Sequence, residues 1–446
     1  MKKILFPTFV LLLLAITTPW FTACGSDDDV VEFHTASSAC IVSGVTLGKI
    51  PCLIHALTTE GKDSVYVANI SGEYYPMTID HYGGRIFNVD SLPYGTDVAK
   101  VTFYQLASSG VLAINMPNKS EGDTLFVATD STDFTHPRKV TVHALDGLSS
   151  RSYMMEVRVH KEYGDSFIWR KVCDPVALLK DVQATAALAT DDSLYLFGAR
   201  GAEHVVCAAA LNQPDDWHAK ATSHSIVSPT VYNNKFYAVN NGCVIVSEDA
   251  CTWTALTNAP ALATAVVAQP NALTVATTNG FYTSADATSW VLEQADEPTF
   301  LPSANVAMAF NYTKADPTFI DVFAVGETTN QTVVWKHNVD LLGGDTYNWN
   351  YYPAGNNNNH AAPALKNRQL YAYDNSILMT GCNNEGAHAF YVSQDGGRTW
   401  YNNVVPTCDS ITTSALTAVD NKHFIWMISP KGELYRGRFN RLGWQK

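Results

Sequence analysis

Beyond an apolar run at its amino terminus, the chain is written in short segments in which apolar and polar positions alternate, the period of a strand with one buried face. Ser64-Val65-Tyr66-Val67-Ala68-Asn69-Ile70 alternates in this way, and Lys100-Val101-Thr102-Phe103-Tyr104 does so in part. Residues 139–144 and 153–159 predict two strands joined by the turn Leu145-Asp146-Gly147, because Asp-Gly supplies the left-handed dihedrals of a tight hairpin. From about Phe167 onward the pattern repeats, and a repeat outweighs any local motif in deciding a fold. Residues 234–239 lead through Asn241-Gly242 to a second apolar run and then to Ser247-Glu248-Asp249-Ala250-Cys251-Thr252-Trp253. Residues 272–277 lead through Asn279-Gly280 to Ser284-Ala285-Asp286-Ala287-Thr288-Ser289-Trp290. Residues 368–373 lead, after a longer insert, to Ser393-Gln394-Asp395-Gly396-Gly397-Arg398-Thr399-Trp400. Each unit predicts a strand, a hairpin turn, a second strand and a Ser-x-Asp turn that ends in tryptophan.

Similar units begin at Leu194, Phe319 and His423, so the closing tryptophans are Trp217, Trp253, Trp290, Trp349, Trp400 and Trp444, separated by 36, 37, 59, 51 and 44 residues. Such gaps suit four-stranded sheets set around a ring with loop insertions. Six sheets are expected, or seven if the 59-residue unit conceals another. Residues 166–170 are expected to complete the sheet that contains Tyr435, which joins the ends of the ring and removes an exposed edge.

The last copy, Ser393 to Trp400, resembles the Asp-box of sialidases and many other β-propellers, Ser-x-Asp-x-Gly-x-Thr-Trp. The copies at Ser247 and Ser284 are one residue shorter and lack the glycine. An aspartate carboxylate accepts bonds from the amides of its own turn, and a tryptophan fills the space between sheets. Ser247, Asp249, Trp253, Ser284, Asp286, Trp290, Ser393, Asp395, Gly397, Thr399 and Trp400 are therefore expected to be structural. Upstream, Asp133-Phe134, Pro137, Asp146-Gly147 and Tyr153 occur in the order that resembles the closing hairpin of immunoglobulin-like modules near the lipid anchor of Bacteroidetes surface proteins. That resemblance implies a spacer domain, with Tyr74, Tyr75 and Tyr82 as core or surface aromatics rather than a sugar platform.

At the amino terminus, Lys2 and Lys3 precede a run from Ile4 to Trp20 that is apolar except for three threonines, the pattern of an export signal. Phe21-Thr22-Ala23-Cys24 resembles the lipobox of bacterial lipoproteins, with phenylalanine where leucine is usual, and Gly25-Ser26-Asp27-Asp28-Asp29 resembles the acidic outer-surface signal of Bacteroidetes lipoproteins. Lipidation of Cys24, an outer-membrane address and exposure at the cell surface follow from the resemblance. The domain reading is residues 1–23 signal peptide, 24–32 lipidated acidic linker, 33–162 immunoglobulin-like β-sandwich and 163–446 β-propeller, an all-β protein. This arrangement is similar to a family of Bacteroidetes surface lipoproteins that joins an amino-terminal immunoglobulin-like domain to a carboxy-terminal Asp-box propeller.

The formal charge of −13 becomes −15 without Lys2 and Lys3, which disfavours a nucleic-acid partner. Besides Cys24 there are cysteines at 40, 52, 173, 207, 243, 251, 382 and 408, and Cys243 with Cys251 and Cys382 with Cys408 could close loops in an exported chain, with buried free thiols the alternative.

A sialidase would need three arginines for the substrate carboxylate, and the Arg-Ile-Pro motif of that family is missing near Arg170. Of the arginines at 170, 200, 368, 398, 436, 438 and 441, one lies in a Ser-x-Asp turn and three crowd into the last segment. Another glycoside hydrolase would need paired carboxylates, for which Glu203, Glu248, Glu293, Glu297, Glu327, Glu385 and Glu433 are available. Glu203-His204 and Glu385-Gly386-Ala387-His388 read as solvated loops before metal or acid–base groups. No motif for a cofactor, a metal or a phosphate-cradling loop is present. The remaining expectation is a non-catalytic surface module that binds glycan or protein or acts as a scaffold, with Tyr351, Tyr352, His360 and His388 on loops that could form a ligand face. A propeller glycoside hydrolase or lyase is the alternative.

Overall fold

The computed structural model describes residues 36–57, 63–115, 123–127, 130–344, 347–355, 358–411 and 413–443. Cys24, Asn356, Asn357 and Trp444 lie outside the described residues. Strands and turns make up the described chain, with single-turn 3-10 segments as its only helical pieces among those residues. It divides into two compact units, Met1–Val159 and His160–Lys446.

In the first unit a six-stranded sheet runs in the order Met77–Asp80, Arg85–Asn88, Ser150–Glu156, Arg138–His143, Val111–Asn115 and Asp123–Leu125. Two ribbons accompany it, Val42–Leu47 with Phe103–Ser108 and Lys49–Leu57 with Asp63–Ser71. Leu47, Ile50, Ile86, Val140, Val142, Tyr153 and Met155 form the core between them. The expected closing hairpin is present, but its loop runs from Ala144 to Ser149, because the Asp146 carboxylate takes the amides of Leu148 and Ser149, each at 2.8 Å, and so holds a wider turn. Two other expectations are corrected. The strand around Tyr66 leaves most of its side chains in solvent, with Val65 50% and Val67 67% exposed and Ile70 near its end packed against the core, since it pairs only with Lys49–Leu57 in a two-stranded ribbon. Val98–Lys100 is a 3-10 turn capped by Asp97, and the strand begins at Phe103. Tyr74 and Tyr82 are exposed, and Tyr75 packs at the edge of the core.

Among its described residues the second unit contains six antiparallel sheets. Their inner strands are Gln183–Ala189, Val227–Tyr232, Ala263–Ala268, Ala304–Tyr312, Lys366–Tyr373 and Leu416–Val419, and each packs against the inner strand of the next sheet, the sixth returning to the first. The sixth sheet is completed by Arg170–Lys171, which pairs with Leu434–Gly437 in the register Arg170 to Arg436 and Lys171 to Tyr435. That is the closure expected from the sequence. Every gap between neighbouring sheets holds an apolar cluster, and four of the tryptophans that end repeats point back into the gap before them: Trp217 beside Trp426, Trp253 beside Phe197, Trp349 stacked 3.8 Å from Phe281, and Trp400 beside Phe323. Large aromatic side chains suit this position, because flat rings fill a wedge between two twisted sheets at high density.

The inner strands carry a second repeat that no motif announces. Five of them have a bulge at their start, between Ala184 and Ala186, Val227 and Thr230, Ala263 and Ala265, Ala304 and Ala307, and Lys366 and Gln369. In three sheets the second strand passes the bulge with glycine, and a β-carbon there would meet a backbone carbonyl: Gln183 at 2.5 Å from Gly198, Ala304 at 3.2 Å from Gly326 and Lys366 at 2.7 Å from Gly381. Gly198→Ala should accordingly lower stability by about 1–3 kcal/mol, as overpacking against backbone does. Urea unfolding of the variant beside wild type measures it, and an unchanged midpoint would show that the bulge yields freely.

Candidate functional site

The six inner strands enclose a central cavity of about 620 Å³. Each lies at the margin of its sheet, so its inward edge has no strand partner and presents backbone amides and carbonyls to the cavity. The side chains around these edges are mainly Ala, Val, Leu and Met, with Ser228, Thr230, Asn305, Asn311, Asn367 and Gln369 among the polar ones. Among the described residues, no aspartate, glutamate or histidine lines the cavity, and Arg368 is its only charged group.

The bulges explain how polar groups reach this position. Thr185, Ser228, Thr264, Asn305 and Asn367 occupy the extra place in their strands, and Ser228, Asn305 and Asn367 have φ of 51°, 49° and 52°, a conformation that asparagine tolerates better than most residues. Several of them tie one sheet to the next. Thr185 Oγ1 donates to the carbonyl of Ile226 at 2.9 Å, and Ser228 Oγ donates to that of Val266 at 3.0 Å. Asn305 donates to the Leu365 carbonyl and accepts the Arg368 amide at 3.3 Å. Gln369 completes the series by accepting the amide and the hydroxyl of Thr417, each at 2.9 Å.

Arg368 is fully buried as a side chain and is neutralised by Glu327 at 3.0 Å, with a further bond to the Asn305 carbonyl at 2.7 Å. Burial pulls its pKa down while Glu327 opposes the change. Tyr371 donates to the Thr417 carbonyl at 2.5 Å, and burial raises its pKa. Neither group is arranged as an acid or a base. A smaller cavity of about 490 Å³ shares Asn367 with the central one and lies among Leu179, Asp181, Gln183, Ser414 and Pro430, where the inner strands of the sixth and first sheets begin.

Since neighbouring strands are antiparallel, the starts of the inner strands share one end of the ring with the turns between second and third strands. The Ser-x-Asp turns follow third strands and therefore lie at the other end. Their geometry repeats. Asp249 Oδ1 accepts the amides of Cys251 and Thr252 at 2.9 and 2.7 Å, Asp286 Oδ1 those of Thr288 and Ser289 at 2.8 Å each, and Asp395 Oδ1 those of Arg398 and Thr399 at 3.1 and 2.9 Å. Ser247, Ser284 and Ser393 each donate to the aspartate two residues on. Ala250 and Ala287, both at φ 60°, stand in the left-handed position that Gly396 and Gly397 fill in the third copy. The indoles of Trp253 and Trp400 each donate back into the turn at 3.0 Å, to Ala250 and Gly397. Trp290 is less buried, and its indole nitrogen finds no partner among the described residues.

Sequence-named ligand residues do not come together. Tyr351 stacks on Phe300 at 4.5 Å and accepts from Gln331, Tyr352 lies under Arg398, and His360 packs on Tyr401 at 4.4 Å. His388 is interior rather than on a face: it bonds Thr380 at 2.8 Å, and burial lowers its pKa to about 4. Nor are the suggested disulfides formed, all eight described cysteines being free thiols. Cys243 opens the strand Cys243–Ser247 and Cys251 lies in the turn beyond its other end, a separation of four residues at about 3.3 Å each before the turn begins. Cys382 and Cys408 are buried, which raises both thiols, and each accepts from backbone groups of its own surroundings, Ala415 for one and Ser410 with Ile411 for the other.

Among the described residues no group of three or more His, Cys, Asp or Glu side chains could hold a metal. Of the glutamates named from sequence, Glu327 serves Arg368, and Glu293 lies between the third and fourth sheets, where its Oε2 is 3.1 Å from His337 Nδ1 and 2.5 Å from Trp349 Nε1. Burial pushes the Glu293 pKa up, but His337, Trp349 and Thr283 together hold it below its ordinary value.

The turns set a pH dependence. Bonds from Thr252 and then Cys251 bring the Asp249 carboxyl down to about 2, and Thr288 and Ser289 hold Asp286 below its usual range. For Asp395, burial raises the pKa but the Thr399 and Ser393 bonds outweigh it. A carboxyl depressed in the folded state adds stability above its ordinary pKa, and that stability fades as pH falls through the folded value. Asp249→Asn should therefore flatten the fall in Tm between about pH 5 and about pH 2, and Asp395→Ala should cost about 1–3 kcal/mol at neutral pH. Thermal melts across that range test both, and parallel curves for wild type and Asp249→Asn would overturn the first.

Residues 163–446 match the family described as DUF6242 beta propeller domain, and residues 48–157 match the domain of unknown function (DUF6242) N-terminal domain. No curated protein matches the sequence. Among solved structures, virginiamycin B lyase from Staphylococcus aureus is similar at 7% identity over 61% of this chain and 99% of that one, with a TM-score of 0.38. The SapL1 lectin, solved with alpha methyl fucoside, is similar at 12% identity over 56% and 90% of the two chains, TM-score 0.36, and the WD40 domain of Toxoplasma gondii coronin at 11% over 61% and 86%, TM-score 0.32. At such TM-scores the likeness says nothing of ligand or activity. The propeller match spans more than half of the sequence, and the chain belongs to the DUF6242 family, its family amino-terminal domain followed by a β-propeller.

Proposed function

We propose that this protein is a non-catalytic surface lipoprotein whose six-bladed propeller binds an uncharged ligand, a glycan or a segment of another surface protein, in its central cavity. The six sheets are read as six blades, the 59-residue repeat containing a single sheet, and the Ser-x-Asp turns as Asp-boxes. One observation carries the reading: the cavity is walled by amide, hydroxyl, apolar and backbone groups with no carboxylate among the described residues. Glycoside hydrolysis needs two carboxyl groups roughly 5–9.5 Å apart, so a hydrolase built on this cavity would lack its acid and its base. Free backbone edges and Asn311 and Asn367 offer both donors and acceptors, as a neutral sugar or an extended peptide requires. The amino-terminal domain is taken as an immunoglobulin-like spacer, and Cys24, followed by Asp27-Asp28-Asp29, as the lipid-bearing residue that fixes the chain to the outer membrane.

Isothermal titration of the chain with neutral oligosaccharides and with peptides tests the cavity. Binding without conversion is expected, and Asn311→Trp, which fills the cavity from a half-buried position, should weaken it at least tenfold. New reducing ends from any polysaccharide, or affinity untouched by the tryptophan, would overturn the reading. For the anchor, Cys24→Ala should move the protein from the membrane to the soluble fraction of the expressing cell, and an unchanged distribution would remove the lipid from the account.

A further inference from the structure

The sheet that closes the ring carries its charges in an arrangement that folding alone does not favour. Arg170 and Arg436 are directly opposite in the antiparallel pair that joins the beginning of the propeller to its end. Like charges so placed have β-carbons about 5 Å apart and repel. The same register, fixed also by the bridge from Phe167 to Phe439, sets Ile168 opposite Arg438, so Arg170, Arg436 and Arg438 share one face. Next to them on that face are Trp426, opposite Arg436, and Phe424. The guanidinium carbons of Arg436 and Arg438 lie 4.6 and 4.1 Å from the Phe424 ring, and Arg436 is 5.3 Å from Trp426.

Among the described residues these cations have no acidic partner. None of the three forms an ion pair with a described carboxylate, although Lys171, Arg368 and Arg441 each do. Asp420, the acidic residue beside Phe424, already accepts the amides of Lys422 and Phe424 and the indole of Trp426, each at 2.9 Å. Arg438 donates one bond to the Lys422 carbonyl at 2.8 Å, Arg170 is exposed, and Arg436 is half-buried against the rings of Phe424 and Trp426. The inner part of the same face, with Leu434, Ile428 and Leu416, is sealed against the first sheet. Only its outer part is open, and Ile168 there is 55% exposed.

We propose that this outer face of the closing sheet is an anion site for the carboxylate or sulfate groups of an acidic polysaccharide, separate from the central cavity. Planar guanidinium forks match oxyanions in bidentate fashion, and rings that hold two of them in place lower the ordering cost of a bond. Cross-strand and along-strand spacings of about 5 and 7 Å let one chain with repeated charges engage several arginines together. A flat anionic membrane is disfavoured, because a surface approaching so acidic a chain meets its carboxylates as well, whereas a single polymer strand enters the patch locally. The site answers to different groups from those of the cavity, so its test is independent of that reading.

The test is affinity electrophoresis and titration with dextran sulfate and polygalacturonate, with neutral dextran and phosphatidylglycerol vesicles alongside. The wild-type chain should be retarded by at least one of the two acidic polymers, with an affinity that falls as salt rises, and its Tm should increase on binding. Arg170→Gln with Arg436→Gln should weaken that binding at least tenfold, and Arg170→Gln alone, on an exposed edge position that leaves the core intact, should weaken it severalfold. Lys431→Gln, an equal charge change elsewhere on the sixth sheet, and Asn311→Trp in the cavity should leave it unchanged. No retardation by either polymer, equal losses from Lys431→Gln and Arg170→Gln, or binding confined to the vesicles would each overturn the proposal.

Discussion

The pairing of Arg170–Lys171 with Leu434–Gly437 is the contact on which the carboxy-terminal unit depends. Six sheets in a row would leave an exposed edge at each end and one unfilled apolar face on the first and last. Supplying the outer strand of the sixth sheet from the beginning of the domain turns the row into a ring. The gap between sixth and first sheets then closes over Trp217 and Trp426, while Trp169 from the same incoming segment fills the gap to the fifth sheet against Phe390. Because the pair joins residues far apart in sequence, the loop-closure entropy must be met before the last two clusters can form, which places this domain among slow, cooperative folders.

Closure also determines what the middle of the ring can be. Each inner strand ends its sheet, so its inward edge must find partners other than another strand. The bulges answer part of this by turning Thr185, Ser228 and Asn305 toward the neighbouring sheet, where their side chains replace the ladder bonds that a radial arrangement forbids. The backbone that remains unpaired faces the cavity. A ring built this way has donors and acceptors in its centre as a consequence of its topology, before any side chain is selected for a ligand. Charge is then the variable that sequence can set, and here the one charged residue at the wall among the described residues, Arg368, is matched by Glu327.

Much of this was legible in the sequence because it rests on side chains that repeat. The Ser-x-Asp turns with their tryptophans, the strand pairs before them and the return of residues 166–170 to the sheet of Tyr435 all follow from residue types at fixed offsets. The bulges were not legible. Their marks are one polar residue just inside each inner strand, Thr185, Ser228, Thr264, Asn305 and Asn367, within segments otherwise so rich in alanine and valine that periodicity is lost. Loop residues were misjudged for a related reason. Tyr351 and His388 look like ligand groups when only their neighbours in sequence are known, yet strand pairing sends one onto Phe300 and the other into the interior beside Thr380. Cysteine spacing misled in the same way, since Cys243 and Cys251 are near in sequence but stand at opposite ends of a strand.

The arginines make the same point from the other side. Their crowding near the carboxy terminus counts against a substrate clamp drawn from several blades, and the structure gives the crowding a different meaning. Arg436 and Arg438 share one face because they are two apart in an extended segment, the strand Leu434–Gly437 and its continuation to the Phe439 bridge, and Arg170 joins them only because the ring closes with that strand. A closure register shifted by one residue would place Arg170 on the opposite face, toward the fifth sheet, and would bring Trp169 out of the cluster it fills. The aromatic packing that fixes the register therefore also fixes the arginine pair. A repulsion that one residue of slip would relieve is retained by the burial of Phe167 and Trp169 against Phe439 and Phe390, an apolar gain of several kcal/mol set against a surface repulsion on the order of 1 kcal/mol or less.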